Sequence, residues 1–201
     1  MWDERYAQPG FHFGQEPADF LVREAYRLAP GSRVLCVADG EGRNSTWLAG
    51  RGCDVVAMDG SAVAIAKARD LAARRGVAVA FHHADVGRWP WHEAEYDAVV
   101  AIFVQFADPV LRQAMFAGMV QTLRPGGLLL LHGYTPRQLV HGTGGPRQVD
   151  HLYTADMLAD AFRGLDLVHL AEYEAVLSEG SGHVGPSSLI DLIARKPEGR
   201  P

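Results

Sequence analysis

The chain has 201 residues, 48% of them hydrophobic and 21% charged. That balance suits one domain able to bury roughly 70% of its unfolded surface, and it excludes a fibrous repeat or a disordered polyelectrolyte. Twenty-four acidic residues against 19 lysines and arginines give a formal charge of −5, which argues against a nucleic-acid footprint or an anionic membrane surface and for a small-molecule partner.

The first residues, "MWDERYAQPGFHFGQEP", are charged, aromatic and broken by proline, unlike a signal peptide, and no later apolar run reaches membrane-spanning length. A cytoplasmic location is expected. Residues 17–29, "PADFLVREAYRLA", carry apolar side chains at helical spacing. Five β-branched apolar runs follow, at 32–38, 54–59, 77–84, 96–104 and 127–134. Continuous apolar runs of this kind predict strands covered on both faces, as in a parallel sheet. Between them, Ser61 caps a helix that closes at Gly76, and Asp108 caps another with Pro109 in its first turn, stopped by "RPGG". Alternation of strand and helix predicts right-handed crossovers and an open, layered α/β sheet. Residues 135–153 form a long loop with clustered glycine and proline, a length that is functional or mobile in a compact domain. Thr154 then caps "ADMLADAF", and 165–177 and 187–196 read as two closing strands.

Cys36 and Cys53 offer neither a disulfide framework nor a metal spacing and read as reduced packing residues. His82 and His83 lie near Asp85, yet consecutive strand residues point to opposite faces, so no metal site is expected there. The remaining histidines lack a recognised ligand spacing.

The chemistry concentrates in "VLCVADGEGRNS", residues 34–45, where an apolar strand enters a turn with Gly40 and Gly42 and then a helix. In an open α/β sheet the ligand crevice lies beyond the carboxyl ends of the strands, and a first-strand glycine turn belongs there. The dinucleotide fingerprint is imperfect, because Ser45 stands where the third small residue should be, and no lysine follows for a phosphate loop. Asp39 and Glu41 would repel a pyrophosphate but suit a cation.

With an acid after the second strand (Asp59), another after the third (Asp85) and a proline-glycine turn before the fifth, this segment resembles motif I of the class I S-adenosylmethionine-dependent methyltransferases. The pattern from "WDERY" through "EGRN", "RPGG" and "YTPRQL…GTGGP" to "LIARKP" resembles their tellurite-resistance and thiopurine-type branch. The resemblance implies a Rossmann-like three-layer sandwich with a seven-stranded, mostly parallel sheet and an antiparallel C-terminal strand. It implies one domain over 1–201, with 1–30 as a lid, and S-adenosyl-L-methionine as cofactor. By the same resemblance Asp39, Gly40, Glu41, Gly42 and Asn44 meet the methionyl part. Asp59, with Gly60 and Ser61 beside it, holds the ribose hydroxyls. Asp85 and Val86 meet the adenine, and Phe103 lies beside adenosine and methionine. Many relatives have an acid where this chain has Cys36 and a glycine where it has Ala38.

The acceptor is expected where the N-terminal arm and the long loop cover the cofactor. Trp2 and Tyr6 are candidate lid aromatics, and Asp3 and Arg5 pair with each other or with the loop. Arg43 is a candidate for an anionic acceptor, while Gln105, Tyr134 and His183 are candidates at the site mouth. No catalytic residue is assigned, since a general base is needed only for a protonated acceptor, and a thiol, oxyanion or chalcogen compound is expected. Two competitors remain: a non-catalytic S-adenosylmethionine-binding module, and a nicotinamide-dependent oxidoreductase, which Ser45 and the lack of a Tyr-x-x-x-Lys pair disfavour.

Overall fold

The computed structural model describes residues 2–199. Seven strands form one sheet in the order β3-β2-β1-β4-β5-β7-β6. They are β1 Arg33–Val37, β2 Asp54–Asp59, β3 Ala80–His83, β4 Tyr96–Ile102, β5 Leu123–Tyr134, β6 Asp166–Glu179 and β7 His183–Arg195. The helices are α1 Trp2–Tyr6, α2 Asp19–Glu24, α3 Arg43–Gly50, α4 Ala62–Arg75, α5 Pro109–Thr122, α6 Gln138–His141 and α7 Ala155–Ala161. β1 pairs in parallel with both β2 and β4, and β7 lies antiparallel between β5 and β6. Chain direction therefore diverges on either side of β1, which opens a crevice at the carboxyl ends of β1 and β4.

Strand periodicity sorts the core into two layers. Leu35, Val37, Val56, Met58, Val99 and Leu131 face one side, where Met115 and Phe116 of α5 and Leu158 of α7 cover them. Val34, Cys36, Val55, Ala57, Ala98 and Val100 face the other, under Phe20 and Leu21 of α2 and Leu48 of α3. Both cysteines are buried and free. The expected caps are present: Ser61 Oγ accepts from Ala64 N at 3.1 Å, Asp108 Oδ1 from Leu111 N at 2.8 Å, and Thr154 Oγ1 from Met157 N at 3.2 Å. Among the described residues no helix is long and apolar enough to cross a membrane.

Several boundaries depart from the sequence reading. The helix expected over 17–29 ends at Glu24 and tightens into a 3-10 turn over Ala25–Arg27, its N-cap position being Ala18, which offers no side-chain acceptor. The arm before it contains α1. β5 begins at Leu123 because the "RPGG" segment bulges outward while Leu123 already pairs with Tyr96. The long loop contains α6 and a 3-10 turn at Val149–His151. β6 and β7 run on until Glu179 pairs with His183, so a tight hairpin replaces the expected longer connection. Its tip reaches the N-terminal arm: Ser181 N and Gly182 N donate to His12 O at 2.9 and 3.0 Å. That contact carries the end of β6 and the start of β7 over the crevice.

Candidate active site

A cavity of about 250 Å³ lies at the carboxyl ends of β1, β2 and β4, just under the ~300–1,000 Å³ usual for small-molecule sites. Its floor is the turn after β1. Gly40, at φ +63°, donates its N–H to Asp59 Oδ2 at 2.8 Å, and a Cβ there would stand 2.9 Å from Tyr6 Oη. Glycine is required at that position by the arm lying above it as well as by the backbone. Ala38 adopts φ +48°, a left-handed conformation that strains a side chain.

Asp59 lines the cavity with both oxygens held by backbone, Oδ2 by Gly40 N and Oδ1 by Ser61 N, each at 2.8 Å. Burial raises its pKa, against the two N–H donors. Each oxygen keeps a second lone pair, so the carboxylate is fixed in place and still able to accept. Asp39 is enclosed by protein with an edge on the cavity, and it accepts from Ser45 N and Ser45 Oγ at the start of α3. Burial pushes its pKa up to about 7. Glu41 is neutralised by Lys67 at 2.9 Å and accepts from His12 N at 2.7 Å, and Asn44 Oδ1 accepts from Ala18 N at 2.9 Å. Both therefore fasten the arm to the turn while lining the cavity with Gly60.

At the other end, Asp85 caps a 3-10 turn by accepting from Gly87 N at 2.8 Å, while Val86, Phe106 and Leu111 make an apolar wall. Phe103 leaves β4 at φ +55°, an outlier for a bulky residue and the kind of strain that collects at functional sites. Its ring meets His183 at 4.1 Å and Tyr134 at 4.7 Å between centroids. The roof is the arm: Trp2 stacks on Tyr6 at 5.8 Å, Tyr6 meets Phe13 edge-on at 6.2 Å, and Phe13 meets His183 at 4.4 Å. Burial, then the carboxylates of Asp59, Glu41 and Asp39, hold the Tyr6 phenol well above its ordinary pKa.

Arg43, Glu179 and His183 form a buried cluster at the cavity wall. Arg43 Nη2 lies 2.7 Å from Glu179 Oε2, and His183 Nδ1 lies 3.8 Å from the same oxygen. Burial opposes ionisation of Glu179, but His183 and Arg43 together hold its pKa down to about 2. Burial, with Arg43 adding, lowers that of His183.

Four candidates fall elsewhere. Gly42, at φ +85°, is not on the cavity wall; a Cβ there would meet Ala68 Cβ at 2.7 Å, so this glycine lets the turn pack on α4. Ser61 also lies off the wall: its hydroxyl donates to Asp3 and accepts from Ala64 N. Asp3 thus pairs with Ser61 instead of Arg5, whose guanidinium sits 4.8 Å over the Trp2 ring. Gln105 spends its amide on β5, Nε2 donating to Tyr134 O at 2.9 Å and Oε1 accepting from Tyr134 N at 2.7 Å. Tyr134 is buried beneath Gly144 and Gly145 of the long loop. That loop contributes no residue to the cavity wall; the β6–β7 hairpin takes its place. Phe13, Gly14 and Glu179 were missed by sequence reasoning. The signal for Glu179 was its four-residue spacing from His183 across a glycine turn, which a hairpin closes into contact. Among the described residues, no three His, Cys, Asp or Glu side chains gather as a metal site.

A family model described as a methyltransferase domain matches residues 34–127, the segment that builds this cavity floor. A demethylmenaquinone methyltransferase of Beutenbergia cavernae is 35% identical over 109 residues, 54% of this chain and 43% of that protein. The match spans about half or less of the length of the first curated relatives, 43% to 47%. Among solved structures, TehB from Haemophilus influenzae superposes with a TM-score of 0.72 at 20% identity, covering 88% of this chain and 61% of that one. The N-methyltransferase NodS from Bradyrhizobium japonicum, in complex with S-adenosylhomocysteine, gives 0.75 at 17%, covering 98% and 97%. The fold is that of the class I S-adenosylmethionine-dependent methyltransferases, and S-adenosyl-L-methionine is the cofactor of this domain class. The donor set fits it: a fixed carboxylate, a glycine turn, carboxylates for a cation and an apolar bracket beside Asp85.

Proposed function

We propose that this protein transfers a methyl group from S-adenosyl-L-methionine to a small-molecule acceptor, as one catalytic domain whose first thirty or so residues serve as the lid. The observation that carries the proposal is Asp59, held by Gly40 N and Ser61 N on the wall of the cavity. In this reading the free lone pairs of Asp59 accept from the ribose hydroxyls, and Gly40 and Gly60 leave room for the sugar. Asp85 accepts from the adenine amino group, and Val86, Phe106 and Leu111 bracket the ring. Asp39, Glu41 and Asn44 shape the methionyl end, beside Phe103. When bound, the cofactor supplies an electrophilic methyl on a sulfonium, and the transfer is a displacement at that carbon.

The chain's own residues then have two tasks, alignment and exclusion of water. Tyr6, Phe13 and Trp2 from the arm close one side, and the hairpin tip, bonded to His12, closes the other. Calorimetry with S-adenosylhomocysteine and with NAD tests the reading. Binding of the first and not the second supports it, and the absence of S-adenosylhomocysteine binding refutes it. Radiolabelled methyl transfer to a panel of acceptors separates an enzyme from a binding module.

A further inference from the structure

We infer that His183, backed by the Glu179–Arg43 ion pair, is the general base of the transfer, and that the acceptor is a neutral, largely apolar molecule bearing a phenol-like hydroxyl or a thiol. This rests on the methyl-transfer reading and names the acceptor class within it.

His183 begins β7 on the cavity wall, its ring held between Phe13 and Phe103 at 4.4 and 4.1 Å. Its Nδ1 is enclosed without a hydrogen bond and faces Glu179 Oε2 at 3.8 Å, which leaves Nε2 as the ring nitrogen open to the cavity. The titratable and charged groups around the ring are Glu179 on β6, Arg43 on α3, and His132 and Tyr134 on β5. Burial and the Arg43 guanidinium keep the imidazole neutral at pH 7 and able to take a proton. Glu179, ionised, stands where the resulting imidazolium needs a counter-charge. A base oriented by a neighbouring carboxylate is the arrangement that proton abstraction requires.

Charge balance selects the acceptor. Among the described residues Arg43 is the only lysine or arginine on the cavity wall, and Glu179 cancels it at 2.7 Å. Lys67 is cancelled by Glu41 at 2.9 Å. What remains on the wall is acidic, Asp59 and Asp85, which suits a sulfonium and repels an oxyanion. On this inference Arg43 does not receive an anionic acceptor. Arg43 Nη1 is buried without a hydrogen-bond partner. Phe13, Phe103, Tyr6 and Trp2 supply the apolar walls.

The step balances without a further reagent. The acceptor oxygen or sulfur forms a bond to the methyl carbon, the carbon–sulfonium bond breaks with its electron pair remaining on sulfur, and the acceptor proton passes to His183 Nε2. Water later removes it.

The test uses the full chain, S-adenosylhomocysteine as probe of the donor site, and three acceptor sets: phenols with pKa near ~10, thiols acidic enough to be ionised at pH 8, and selenite and tellurite. Histidine NMR of the S-adenosylhomocysteine complex should show His183 titrating below about 6.5 and responding to added phenol. His183→Asn should keep S-adenosylhomocysteine affinity within about threefold, lower methylation of the phenols by about 10²–10⁴-fold, and spare the ionised thiols to within about tenfold. An equal loss for phenols and ionised thiols, a preference for the oxyanions, or failure of every phenol and thiol to bind the complex overturns the inference. If S-adenosylhomocysteine does not bind wild type, the methyl-transfer reading itself falls; if it binds and the variant's phenol rates are unchanged, only the role of His183 does.

Discussion

Replacing Asp39 by asparagine should stabilise the protein above neutral pH and not in acid. Burial lifts the Asp39 pKa from 3.8 to about 7, with Asp59 adding to the rise and the Ser45 hydrogen bonds opposing it. Between those two values the folded protein holds a proton that the unfolded chain has released, so the free energy of unfolding falls as pH rises. The penalty is absent below the unfolded value and complete above the folded one. A difference of roughly three pH units at ~1.36 kcal/mol each sets a ceiling of about 4 kcal/mol. Contact with cavity water and the loss of a charge-assisted bond to Ser45 reduce the expected gain to about 1–3 kcal/mol. Urea unfolding of both proteins from pH 4 to 8.5 measures it, and the difference, variant minus wild type, should climb between roughly pH 4 and 7 and then level. A flat difference, or one that falls with pH, would refute the assignment of Asp39 as a buried, largely protonated acid.

Three further outcomes follow from the contacts. Asp59→Asn puts an amide N–H against a backbone N–H and loses a charged acceptor, so S-adenosylhomocysteine affinity in calorimetry should fall by ~1.5–3 kcal/mol; affinity within twofold of wild type would contradict the ribose role. Gly42→Ala must fit a methyl 2.7 Å from Ala68 Cβ at φ +85°, and overpacking with left-handed strain should cost about 2–4 kcal/mol in chemical denaturation. Gln105→Leu leaves the buried Tyr134 N–H unpaired, while the Tyr134 carbonyl keeps Tyr153 N at 3.0 Å, and a loss of about 1–3 kcal/mol in stability is expected with unchanged S-adenosylhomocysteine affinity, the reverse of what a ligand-contacting residue would show.

Helices α4, α5 and α7 were legible because each carries its own start signal in a cap residue, and α4 also its stop in Gly76. β2 was legible to the residue, since its apolar run is bounded by a glycine turn and by Asp59. The short α1 was not, because a five-residue helix has too few side chains to show a period, and its stability comes from Tyr6 packing over the turn at Gly40. Gln105 and Tyr134 looked like mouth residues because both end strands; the structure turns the Gln105 amide back onto its neighbouring strand. Gly40 and Gly42 read alike in sequence yet serve different ends, one beneath the arm at the cavity floor, the other against α4.

The sequence by itself determined the layered α/β architecture, the glycine turn after β1 and the acids at the ends of β2 and β3, because these rest on local periodicity, caps and strand ends. Only the tertiary structure decided which distant segments close the cavity. The aromatic arm and the β6–β7 hairpin meet through His12, and Arg43, Glu179 and His183 gather from the two ends of the chain. Such contacts depend on where a hairpin tip lands after the whole sheet is assembled, and no local pattern of residues encodes that position.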